Sequence, residues 1–111
     1  MADLPLSAQP HRVTVETRTG VTATGEVFAP GMPVRCFRDA RRGTVLTIAG
    51  RQEVTTMTIY TTAEACGGRH PMDLFTEGSR VTWEHGSGTV KAAWDRSDGG
   101  MGAWQHVEVA L

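Results

Sequence analysis

A chain of 111 residues with 40% hydrophobic and 21% charged residues and a formal charge of −1 fits one compact domain and excludes two. At this size folding buries only roughly 60 to 70% of the surface exposed by the unfolded chain, so the core is thin and association with neighbours is expected. Valine and threonine number 26 against 7 leucines and isoleucines, and β-branched side chains fit a pleated sheet better than a helix, which points to an all-β protein.

Residues 1–10 (MADLPLSAQP) lack the basic start and apolar run of a secretory leader and are expected to form a flexible arm. No stretch approaches the roughly 20 apolar residues that cross a bilayer, so no membrane partner is expected. Val13 and Val15 alternate with Arg12, Thr14 and Glu16, the pattern of a half-buried strand. The charge is then unevenly spread. Between positions 35 and 51, Arg35, Arg38, Arg41, Arg42 and Arg51 face the single acid Asp39, which is 5 − 1 = +4 and leaves −5 for the remainder. This segment separates two β-prone runs and holds Gly43 and Gly50 as candidate hinges, so part of it is expected to project as a long loop or ribbon. Arginines on such a projection attract DNA phosphates by releasing counterions, a salt-sensitive and sequence-independent effect. The same arginines also suit pairing with carboxylates of a neighbouring subunit, or simply keep a loop soluble.

Residues 53–62 (EVTTMTIYTT) are the longest β-prone run, with Met57 and Ile59 on one face and Val54 and Tyr60 on the other, as in a central strand. Residues 62–66 suit a single helical turn before Gly67 and Gly68. Segments 79–84 and 89–94 flank residues 85–88 and read as a hairpin, with Val81 and Trp83 on one side and Val90, Ala92 and Trp94 on the other. A second hairpin is expected through residues 95–103 (DRSDGGMGA), leading to Val107, Val109 and Leu111, which alternate with His106, Glu108 and Ala110. The whole predicts a single domain over 1–111: a small antiparallel β-barrel of about five to seven strands, with one long basic loop and the arm. Closure of the sheet removes edges that invite aggregation.

Chemistry is sparse. His11, His70, His85 and His106 fall on different predicted elements, and no GxSxG, HExxH or phosphate-binding glycine loop is present. Cys66 and His70 stand four apart, yet the paired CxxC spacing of structural zinc sites is missing, so Cys36 and Cys66 read as small buried thiols. Asp95 and Asp98 lie in a glycine-rich turn, where aspartate caps the backbone. No catalytic residue, cofactor or metal site is therefore expected. Trp83, Trp94 and Trp104 suit core packing or a subunit interface, and alternatively base stacking in a small nucleic-acid-binding barrel.

The order of the signatures carries more than any one of them. GRQEVTTMTIYTTAEA, followed by FTEGSRVTWEHGSGTVKAAWDRSDGGMGAWQHVEVAL, resembles the head-closure proteins, or head-to-tail stoppers, of long-tailed bacteriophages over residues 34–111. The matching positions are Gly50, Glu53 and Tyr60 in a long strand; Gly78, Ser79, Arg80 and Val81 in a GDRV-like segment; and His106, Glu108, Val109 and Leu111 in the last strand. Ser79 stands where aspartate is common, and GVTATGEVFAPGMP matches only loosely.

The resemblance implies a structural virion protein of the neck, assembled in the host cytoplasm, and no reaction. Copies of the chain would form a ring of six or twelve subunits that closes the DNA exit channel after packaging. Portal or adaptor proteins would meet it on the head side, tail-completion or tail-tube proteins on the tail side, and packaged double-stranded DNA within. The loop over residues 38–51, with Arg38, Arg41, Arg42 and Arg51 toward DNA and Gly43 and Gly50 as pivots, corresponds by position to the channel loop. A tail-completion or adaptor role in the same connector is the neighbouring alternative.

Overall fold

The computed structural model describes residues 4–23, 25–40, 43–46, 50–96 and 105–111. Its alternating segments pair as short strands: β1 (His11–Glu16), β2 (Arg18–Thr22), β3 (Gly25–Phe28), β4 (Met32–Asp39), β5 (Gly43–Leu46), β6 (Gln52–Thr55), β7 (Thr58–Thr61), β8 (Arg80–Trp83), β9 (Gly86–Thr89), β10 (Ala92–Asp95) and β11 (Val107–Ala110). One helical turn, α1 (Pro71–Leu74), precedes β8. Seven strands form an antiparallel sheet in the order β10-β11-β7-β4-β1-β8-β9, while β2-β3 and β5-β6 are separate two-stranded ribbons.

The edge strands of that sheet, β9 and β10, are consecutive in the chain and separated only by Val90 and Lys91. Val90 N–H donates to the Ser79 carbonyl beside β8, and Lys91 N–H donates to the Ala110 carbonyl at the end of β11. One bent segment thus closes against both ends of the sheet and curls it into a small all-β, barrel-like fold. The expected alternation holds at both termini: Val13, Val15, Val107, Val109 and Leu111 are buried, and meet Val34, Cys36, Ile59 and Val81 in one core.

Three local expectations change. The run 53–62 is two strands, because Thr56 N–H donates to the Leu111 carbonyl and Leu111 N–H donates to Met57, which captures the chain between β6 and β7. Its second half, β7, is the inner strand between β11 and β4, whereas β6 leaves the sheet to pair with β5. The β8-β9 turn is shorter than 85–88, since Trp83 pairs directly with Gly86 and leaves only Glu84 and His85 in the loop. Gly86 and Gly88 are strand residues beneath the Trp83 ring, where added Cβ atoms would stand 3.2 and 3.5 Å from indole carbons. Missing side chains there admit the indole.

The arm is the third. Residues 6–8 form a 3₁₀ turn and Gln9 is fully buried, its Nε2 donating to the Leu4 carbonyl at 3.1 Å and to Thr62 Oγ1 at 3.2 Å. Arg35 donates to the carbonyls of Gln9 and Leu6, and Leu4 N–H donates to Gln105. From Leu4 onward the expected loose arm is a strap, because a buried amide and a guanidinium satisfy its carbonyls.

Ser79, the departure from the family-like GDRV pattern, is buried where β2 leaves the barrel. Its Oγ accepts Arg18 N–H at 2.9 Å and lies 2.8 Å from Thr76 Oγ1, which places the first ribbon relative to β8. Gly78 beside it has φ +88, a left-handed conformation that favours glycine.

Candidate functional site

Within the basic segment, residues 35–39 belong to β4 of the main sheet and residues 43–46 form β5, one strand of a ribbon. β5 and β6 pair in the register Gly43↔Thr55, Thr44↔Val54, Val45↔Glu53 and Leu46↔Gln52, and neither joins the seven-stranded sheet. Cross-strand partners share a face, so Thr44, Leu46, Gln52 and Val54 lie on one side and Val45 and Glu53 on the other. Leu46 is 69% and Val54 49% exposed. Lys91 Nζ donates to the Val54 carbonyl at 2.6 Å, fixing a cation at the ribbon's base.

The candidate loop residues separate. Arg41 and Arg42 lie outside the described residues. Arg51 is exposed immediately before β6. Arg38 belongs to β4 rather than to a loop: the strand runs on through Asp39 because Arg38 pairs with Ile59 and Asp39 with Thr58 of β7. By alternation Arg38 follows buried Val34 and Cys36, it is half-buried, and its Nε is buried without a hydrogen-bond partner. Gly50 has φ +80, a left-handed conformation that favours glycine, and lies in the turn between β5 and β6, at the ribbon's tip rather than at its base, where a pivot would have to be. Gly43 is instead the first residue of β5, paired to Thr55 with no left-handed backbone, so its expected hinge role gives way to a ladder position.

A second feature emerges from register. Trp94 lies opposite Glu108, Glu108 opposite Tyr60, and Tyr60 opposite Phe37, which makes one outward row across β10, β11, β7 and β4. Rings follow one another along it: Phe37 to Tyr60 at 6.0 Å, Phe37 to His11 at 5.6 Å, and Tyr60 to His106 at 5.5 Å. These are tilted contacts at distances typical of attractive aromatic pairs. Beside the row runs a groove of about 530 Å³, floored by Leu4, Ala8, Phe37 and Tyr60 and edged by the carboxylates of Asp39 and Glu108. Glu108 is held between His106 Nε2 at 3.1 Å and Arg96 at 3.6 Å, and the Arg96 guanidinium stands 6.0 Å over the Trp94 ring. Trp94, expected in core packing or at a subunit interface, is part of the outer row, while Trp83 packs against the core. Trp104 lies outside the described residues.

Alternation within 53–62 already put Tyr60 opposite Met57 and Ile59. Its alignment with Phe37, Glu108 and Trp94 depends on pairings between residues 14 to 48 apart in sequence, which no local pattern carries.

The titratable side chains serve structure. His70 Nδ1 accepts Met72 N–H at 3.1 Å, and its Nε2 lies 3.4 Å from Asp95, tying α1 to β10. Cys36 and Cys66 are free thiols in the core. Burial pushes the Cys36 thiol up to about 12, against a smaller opposing pull from Arg38, and burial likewise raises Cys66. Thiols so held are protonated and poor nucleophiles at neutral pH. No three His, Cys, Asp or Glu side chains among the described residues are arranged to hold a metal ion. Asp98 lies outside them. Comparison with protein-family models and with curated proteins finds no match to this chain.

Proposed function

We propose that this chain is a structural subunit of the head-to-tail connector of a long-tailed bacteriophage, a head-closure protein that forms a ring around the DNA exit and presents a surface to the tail. The observation that carries the reading is the β5-β6 ribbon: a projection bonded outside the barrel's ladder, in the basic segment, at the place where the family-like order of motifs puts a channel loop. The barrel-like fold suits the same family.

In this reading the barrel is the wall of the ring and the ribbon its adjustable part. Arg51, in the ribbon's turn, and, by sequence, Arg41 and Arg42 supply positive charge at the channel. Arg38 and Arg35 anchor strand and strap instead. Repeating three arginines around a ring multiplies a weak phosphate contact per copy, so DNA is retained without any single strong site. Portal or adaptor proteins lie on the head side and tail-completion or tail-tube proteins on the tail side. The function requires no reaction. The aromatic row would also suit base stacking in a free nucleic-acid-binding barrel, and the family-like order of motifs favours the connector over that reading.

The test is the DNA content of particles made by a genome from which this gene has been deleted. Heads that package DNA, then lose it and carry no tails, are the expected result. Filled, tailed particles made without the chain would overturn the proposal.

A further inference from the structure

The end of the barrel from which the ribbon leaves is an open mouth. β1 begins there, β4 and β8 end there, and residues 40–57, which hold the ribbon, connect β4 to β7 at the same end. Between these strands lies a concavity of about 560 Å³, lined in part by His11, Arg12, Thr14, Arg38, Thr82 and Trp83. We infer that this mouth binds the phosphate group of a nucleotide, held by Arg12 and Arg38. The inference goes beyond the connector reading and does not depend on it.

The donors at the mouth are unspent. Arg38 is fixed in β4 through its backbone, and by alternation with Val34 and Cys36 its side chain leans into the barrel end. Its Nε is buried with no hydrogen-bond partner, and its guanidinium forms no ion pair among the described residues. A guanidinium keeps its charge at any ordinary pH, so a buried N–H without an acceptor is unfavourable until an anion supplies one. Arg12, beside His11 on β1, is exposed and likewise unpaired among the described residues. His11 Nδ1 accepts the Arg38 N–H at 3.1 Å, which leaves the proton of the neutral ring on Nε2 as a third donor. The hydroxyls of Thr14 and Thr82, opposite each other in the β1-β8 ladder, add two more.

Charge and size narrow the ligand. The mouth carries Arg12 and Arg38 against Glu84, which is 2 − 1 = +1 with His11 neutral, and Glu84 is engaged by His85 at 3.7 Å. Asp39, the next residue of β4, lies on the opposite face and lines the groove beside Phe37. Guanidinium groups are planar forked donors whose geometry suits phosphate oxygens. A phosphate fills only part of a space this large, which falls in the range of small-molecule sites. The remainder is bounded by Pro10, Pro33 and the Trp83 indole, held over Gly86 and Gly88, so a sugar and a base have an apolar wall to lie against.

The experiment follows the Arg38 Nε–H signal and the β1 amides of the isotope-labelled full-length chain by NMR. Thymidine monophosphate, a short DNA duplex and orthophosphate are titrated in turn. Saturable movement with thymidine monophosphate or the duplex, and weaker binding of orthophosphate, is the expected result; whichever of the first two binds more tightly identifies a free nucleotide or a strand as the source. Arg12→Ser and Arg38→Gln should each weaken binding roughly tenfold through loss of a charge-assisted contact. Arg69→Ser, by Met32 at the other end of β4, should leave it unchanged. Because Arg12 is exposed, its variant keeps the test open if Arg38→Gln folds poorly. No movement with any probe, orthophosphate binding as tightly as the nucleotide, or wild-type affinity in both arginine variants would overturn the site. None of these results bears on the connector reading, which the DNA content of particles lacking the chain decides.

Discussion

In the barrel, Val13, Val15, Val34, Val107 and Val109 are buried by alternation, whereas in the β5-β6 ribbon Val54 and Leu46 stay exposed although their strands are paired over four consecutive positions. The same residue types and the same ladder give opposite outcomes. A ladder satisfies backbone groups, but only a close-packed second layer removes side chains from water, and Leu46 faces Met72, Phe75, Ala92, Ala93 and Trp94 across an open cavity of about 350 Å³ that leaves it exposed. Barrel residues should therefore govern unfolding, and ribbon residues should leave it almost untouched.

That separation can be broken at several points. The largest effect is expected at Ile59, fully buried on the inner strand β7, where Ile59→Ala should cost about 2 to 5 kcal/mol in urea unfolding through lost burial and a residual cavity. A loss comparable to a surface change would show that β7 is not part of the cooperative unit. Ser79→Ala is next, at about 1 to 3 kcal/mol, because it leaves the buried end of the Arg18 N–H bond unmade where the first ribbon joins the barrel. Hydrogen exchange at Arg18 and its neighbours should rise more than exchange at β11.

A pH effect follows from the core thiols. Cys36 has its pKa raised from 9.0 to about 12 in the folded chain, so above pH 9 the unfolded chain gives up its proton first and unfolding is favoured. Stability from this source is complete below pH 9 and falls as pH rises toward 12, with Cys66 contributing in the same direction. Cys36→Ala should flatten the alkaline slope of the unfolding free energy, and an unchanged slope would assign it elsewhere. The smallest stability effect is expected on the ribbon. Leu46→Ser should change unfolding by less than about 0.5 kcal/mol. A large loss of monomer stability would mean that the ribbon belongs to the core after all.

Much of this was legible before any coordinates. Period-two alternation located β1 and β11, the buried set on each, and the inward pair Met57 and Ile59. Glycine-rich stretches were less informative, because a glycine serves a turn, a pivot or a flat aromatic contact equally well. Gly86 and Gly88 looked like a turn and are strand residues under Trp83, and Gly43 looked like a hinge and is a ladder position. Arg38 looked like part of a loop because it opens a run of charged residues with Asp39, Arg41 and Arg42, yet pairing with Ile59 draws it into β4.

Composition and alternation were enough to specify an all-β chain with a thin valine-rich core and a basic excursion, because burial on one face of a strand imposes a period that is local to a few residues. Which strands become neighbours is not local. The bend at Val90 and Lys91 that closes the barrel, the strap held by Gln9 and Arg35, and the row joining Phe37, Tyr60, Glu108 and Trp94 all arise from pairings across tens of residues. A one-residue slip of β7 against β4 and β11 would turn Tyr60 inward and Ile59 outward, so the outer groove exists only once those ladders have settled their register.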